Sequence, residues 1–130
     1  FTTQTRQEAR RWLDQCEKLF HLTEAIIIFG SAVRNYTKAE DIDLLIVLNN
    51  KNLAAAQRII ENENKISLKP LHVIWQLPID FKKNISKLDP VLLNALKYGY
   101  VLQGNELVLQ AILQAQRSYG HFAVPKSKSR

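Results

Sequence analysis

Apolar residues at Ala9, Trp12, Leu13, Cys16, Leu19 and Phe20 recur three and four positions apart, the spacing of one face of a helix over about residues 2–20. Arg6, Arg10, Asp14, Gln15 and Lys18 put mixed charge on the other side, which reads as a solvated face. The helical period then stops. Ile26-Ile27-Ile28-Phe29 is a continuous apolar run closed by Gly30-Ser31, and Ile42 to Leu48 is apolar apart from Asp43. Runs of this length bounded by glycine or polar clusters predict buried strands, here over 24–29 and 42–48. Helical spacing returns over 53–63, with Leu53, Ala56, Ile59 and Ile60 inward and Asn50 or Asn52 as the cap. Pro70 leads into a third strand over 71–76. Pro78 breaks that strand and opens a short helix holding Phe81 and Ile85, where Asp80 reads as a cap or as an alternative acid. Asp89-Pro90 joins a capping side chain to a first-turn proline and predicts a helix over 90–98, stopped by Gly99. Tyr100-Val101-Leu102 predicts a short fourth strand. Asn105 then caps a last helix to about residue 116, with Leu107, Val108, Ala111, Ile112 and Ala115 inward. Leu109 and Leu113 make its apolar surface wider than one face needs, so a partner contact is expected there.

The 130 residues suit one domain, expected over 1–119, followed by a basic tail over 120–130 that carries Lys126, Lys128 and Arg130. The formal net charge of +6 favours anionic partners such as nucleotides, nucleic acid or an acidic protein. Aromatic residues are not interleaved with the basic ones, which argues against a single-strand nucleic-acid platform. No apolar run reaches the length of a membrane span, and no signal peptide is visible. The single cysteine, Cys16, excludes an internal disulfide, fits a reducing cytoplasm and reads as a structural thiol. A chain that starts at Phe1 and holds no Met reads as an incomplete primary translation product, with either residues before Phe1 or its methionines missing.

The candidate chemistry lies between the first two predicted strands. Side chains alternate across a strand, so Asp41 and Asp43 project from one face and Ile42 from the other. Adjacent carboxylates repel each other and require a cation, a shared proton or solvent. A divalent metal is the most productive of these, since hard oxygen ligands on a rigid strand suit Mg²⁺. Gly30 supplies freedom for a sharp turn or for the close approach of a phosphate, and a helix starting at Ser31 would offer free backbone N–H groups to an anion.

Gly30-Ser31 followed, nine residues later, by Asp41-Ile42-Asp43-Leu44-Leu45 resembles the signature of the nucleotidyltransferase superfamily related to DNA polymerase β, and its small stand-alone minimal nucleotidyltransferases above all. The resemblance covers about residues 24–106. It implies an α+β fold, a small mixed β-sheet flanked by helices, and transfer of a nucleoside monophosphate from an NTP such as ATP to an acceptor that is a nucleic acid, a protein or a small molecule. It implies that Asp41 and Asp43 are the catalytic pair and hold Mg²⁺, with Mn²⁺ as a substitute. It also implies that Gly30 and Ser31 bind the triphosphate. Arg34 stands where relatives often carry a basic residue, and reads either as a phosphate partner or as an exposed arginine. Ala32 occupies a position where relatives often have Arg. Complete relatives place a third carboxylate on the third strand, and the matching residue here is His72. An imidazole is a poor Mg²⁺ ligand but a competent general base. The other reading the resemblance offers is a binding module without turnover, such as the antitoxin-type partner of a HEPN-type helical protein.

Overall fold

The computed structural model describes residues 3–119. The expected basic tail at 120–130 lies outside the described residues, as do the side chains of Ala9, Trp12 and Leu13. The elements run α1 (Thr3–Leu22), β1 (Ala25–Phe29), α2 (Ser31–Arg34), β2 (Ile42–Val47), α3 (Asn50–Asn64), β3 (Leu71–Gln76), α4 (Pro78–Ser86), α5 (Pro90–Tyr98), β4 (Tyr100–Gln103) and α6 (Asn105–Tyr119).

The four strands form one sheet in the order β3-β2-β1-β4. β1 pairs antiparallel with β2 and with β4, whereas β2 and β3 are parallel. A parallel pair needs a long crossover, and α3 supplies it. The two central strands are buried on both faces, which is why they read as continuous apolar runs rather than alternating ones. Their alternate residues feed two cores. Ala25, Ile27, Phe29, Leu45 and Val47 pack with Phe81 and Ile85 of α4, Leu92 and Ala95 of α5, and Val108, Ala111 and Ala115 of α6. Ile26, Leu44, Ile46 and Leu48 pack on the other side with Leu19 of α1 and with Ala56 and Ile60 of α3. Each fully buried Ile, Leu or Phe here contributes roughly 1.5–3 kcal/mol relative to exposure.

Several local expectations are corrected. Phe20 is 40% exposed rather than inward, while Leu19 and Leu22 carry the end of α1 onto the core. Neither Asn50 nor Asn52 caps α3. Its N-cap is Asn49, and that side chain makes no cap hydrogen bond. Instead the Asn49 amide donates to Glu24 at 3.0 Å and the Asn52 amide donates to the Leu22 carbonyl at 3.1 Å, tying α3 to the junction of α1 and β1. Asp80 lies in the first turn of α4, but the N-cap is Leu77. Asp89 does cap α5, accepting from the N–H groups of Val91 and Leu92. Gly99 ends α5 in extended backbone, where a Cβ would press on the Ile28 carbonyl oxygen at 2.8 Å. Leu109 and Leu113 remain exposed on α6. The Cys16 thiol is partly buried, and its pKa is raised first by that burial and then by the charge of Glu63, as suits an unreactive thiol.

Candidate functional site

The sheet topology brings three strands to one end. β1 runs toward that end and stops at Phe29, and β2 returns from it. β3, parallel to β2, starts there as well. Asp43 is therefore paired with Phe29 on one side and with His72 on the other. Two hydrogen bonds hold the β2–β3 ladder beyond its formal ends, from Ile42 N–H to the Pro70 carbonyl and from Leu48 N–H to the Gln76 carbonyl. Asp41 stands one residue before β2, so it shares its face with Asp43 and His72.

The side chains converge as the register requires. His72 Nδ1 lies 3.2 Å from Asp41 Oδ2 and 4.0 Å from Asp43 Oδ1. One ligand atom from each of Asp41, Asp43 and His72 falls within 4.8 Å of the others. Both aspartates are about two-thirds shielded, at 33% and 31% side-chain exposure, while the imidazole is 61% exposed. Burial raises the Asp43 pKa above the usual carboxylate value, the Asp41 charge raises it further, and His72 partly offsets both. Two carboxylates in a half-dry site, faced by one imidazole, form a donor set that fits a divalent cation.

Gly30 closes the other side. Its φ of 78° and ψ of −157° belong to a region that is essentially reserved for glycine. A Cβ at this position would collide with Asp43 Oδ2 and lie 3.2 Å from Asp43 Cγ. The glycine is thus required by the carboxylate as well as by the turn. Ser31 opens α2, and Arg34 ends it, exposed and outside the Asp41–Asp43–His72 group.

Nothing in the local sequence pointed to Lys69. Its ammonium donates to the carbonyls of Tyr36 at 2.9 Å and Ala39 at 2.7 Å and lies 4.7 Å from the centre of the Tyr36 ring. This pins the 35–40 loop, which carries Asp41, to the segment that enters β3. Asp80 follows the far end of β3, so the alternative acid is not part of this site.

The family model for the nucleotidyltransferase domain matches residues 9–98, and the chain belongs to that family. Its mixed sheet flanked by helices is the arrangement expected of the polymerase β-like nucleotidyltransferase fold. No curated protein and no solved structure matches the chain significantly. Among the described residues no helix is long and apolar enough to cross a membrane.

Proposed function

We propose that the domain transfers a nucleoside monophosphate from an NTP to an acceptor hydroxyl, with a divalent cation held by Asp41 and Asp43. The observation that carries this reading is the meeting of Asp41, Asp43 and Gly30 at one end of the sheet in a nucleotidyltransferase domain. In the reaction the acceptor hydroxyl gives up its proton to solvent and its oxygen bonds to the α-phosphorus, the bond from that phosphorus to the α,β-bridging oxygen breaks, and pyrophosphate leaves with the electron pair. Mg²⁺ or Mn²⁺ at the carboxylates would screen the triphosphate and lower the pKa of the attacking hydroxyl.

The chain's own contribution is to hold these groups in place. β2 fixes Asp43 on a strand paired on both sides, and Asp41 leads directly into that strand, so the carboxylates need little reorganisation to accept a cation. Gly30 leaves the Asp43 carboxylate room, and Lys69 restrains the loop that carries Asp41. Ser31 and the N–H groups around it would meet the triphosphate. Because α2 has only four residues, they would act as individual donors rather than through a long helix dipole. Arg34, exposed at the end of α2, would pair with phosphate oxygens.

Two observations favour a second reading, a nucleotide- or partner-binding module with little turnover. The position that would bear a third carboxylate is His72, and Leu109 and Leu113 leave an apolar strip on α6. Calorimetry with α,β-methylene ATP, with and without Mg²⁺, tests the site itself. Cation-dependent binding that Asp43→Asn abolishes supports it, and equal binding by the folded variant contradicts it. Transfer of an α-phosphate label then separates an enzyme from a binding module.

A further inference from the structure

We propose that His72 is a third ligand of the Asp41–Asp43 cation site, binding through Nδ1, and that it makes the site favour first-row transition cations over Mg²⁺. This rests on the cation-dependent reading above and names the cation class for the same site.

The argument begins with the backbone. The parallel register sets His72 beside Asp43, and both project from the face that Asp41 shares. The nitrogen that faces the carboxylates is Nδ1. Adjacent donors on one octahedral ion, each at about 2.1 Å, stand roughly 3 Å apart, and opposite donors stand roughly 4 Å apart. The observed separations of 3.2 Å to Asp41 Oδ2 and 4.0 Å to Asp43 Oδ1 fall in that range, and all three donor atoms lie within 4.8 Å of one another, so a bound ion needs to draw them only slightly together. A surface histidine–aspartate pair contributes little by itself, so this arrangement does not earn its place through stability. It does bring one nitrogen and two oxygens to a common point, two of them on paired strands and the third on the residue that leads into β2.

The donor types then decide the cation. Mg²⁺ binds oxygen almost exclusively and keeps its water rather than accept an imidazole. First-row transition cations accept imidazole and carboxylate together. A third carboxylate at this position would keep the site all-oxygen and suited to Mg²⁺, whereas His72 tilts it away. Mn²⁺ is the most stringent probe, because it stands lowest in the affinity order of that series and is closest to Mg²⁺ in its liking for oxygen.

The test uses electron paramagnetic resonance on the whole chain. Mn²⁺ is titrated into the wild-type protein with Mg²⁺ as competitor, and electron spin-echo modulation is recorded on the bound ion, with and without ¹⁵N-labelled histidine. The expected result is ¹⁴N modulation from a directly bound nitrogen, replaced by ¹⁵N coupling in the labelled protein. In His72→Asp the nitrogen signal disappears and the ratio of Mn²⁺ to Mg²⁺ affinity falls by about 10-fold or more, the range for losing a residue that tunes a metal site. Mn²⁺ that binds, is released by Asp43→Asn and yet shows no histidine nitrogen would overturn the role of His72 while leaving the carboxylate site standing. An unchanged affinity ratio in His72→Asp would do the same. Absence of any Mn²⁺ or Mg²⁺ binding would overturn both this inference and the reading on which it rests.

Discussion

Gly30 and Asp43 share a space that has room for one of them only: a Cβ on the glycine would collide with the aspartate's Oδ2. The turn that ends β1 and the carboxylate at the start of β2 are therefore a single steric unit, and the Gly-Ser and Asp-x-Asp halves of the motif are not independent.

Gly30→Ala accordingly acts twice. The positive φ costs on the order of 1–3 kcal/mol of stability in a region that other residues avoid. The new methyl group also pushes the Asp43 carboxylate aside. Thermal melts should show the first effect and cation titration the second, with Mg²⁺ or Mn²⁺ affinity reduced more than the melting temperature alone accounts for. A variant that melts lower but binds cation normally would show that Asp43 does not hold it.

Asp43→Asn should stabilise the cation-free protein and abolish its stabilisation by cation. The sign follows from the direction of the pKa shift. Burial and Asp41 raise the folded-state pKa of Asp43 above its ordinary value of 3.8, outweighing the opposite pull of His72. The folded chain thus holds that proton more tightly than the unfolded chain. The associated stability is complete below the ordinary value and is lost as pH rises through the raised one. In EDTA, the melting temperature of the wild type should fall relative to Asp43→Asn as pH rises from about 4, then run parallel to it once Asp43 is ionised. Saturating divalent cation should raise the wild type and leave the variant unchanged. Parallel curves across the whole acid range would contradict the account.

The sheet and most of the candidate site were legible in the sequence, and for the same reason. Strands buried on both faces leave continuous apolar runs, so β1 and β2 are visible at Ile26–Phe29 and Leu44–Val47, and the polar exceptions Asp41 and Asp43 stand out against them. His72 was visible as the one titratable residue of β3. The misreadings have a common origin in long-range contacts, which leave no local period. Asn52 was read as a cap because its type favours one, yet its amide reaches back to Leu22. Phe20 fits the helical spacing but stays exposed, while Leu19 and Leu22 on either side of it pack against the core. Lys69 meets carbonyls that lie 30 and 33 residues away, and a lysine before a proline gives no sign of that.

Lys69→Met should therefore disturb the site without disturbing the core. Hydrogen bonds from a charged donor are worth about 1.5–3 kcal/mol when shielded, and partial exposure reduces that here. A stability loss of roughly 1 kcal/mol is expected, together with faster amide exchange confined to the 35–40 loop and weaker cation binding. Unchanged exchange in that loop would show that the clamp does not order it.

Asp89→Ala serves as the control. It removes the cap of α5, which accepts from Val91 and Leu92, and should cost about 1 kcal/mol. Cation and nucleotide affinity should not change. A loss of affinity matching that in Asp43→Asn would mean that the effects of the site variants reflect stability alone.

The most direct test of the central claim is transfer of label from α-³²P-NTPs in the presence of Mg²⁺ or Mn²⁺, offered with RNA, protein and small-molecule fractions of a cell extract as acceptors. The account predicts cation-dependent labelling of one acceptor class with release of unlabelled pyrophosphate, lost in Asp41→Asn and in Asp43→Asn. Wild-type protein that binds NTP and cation yet labels no acceptor above the level of those variants would contradict it.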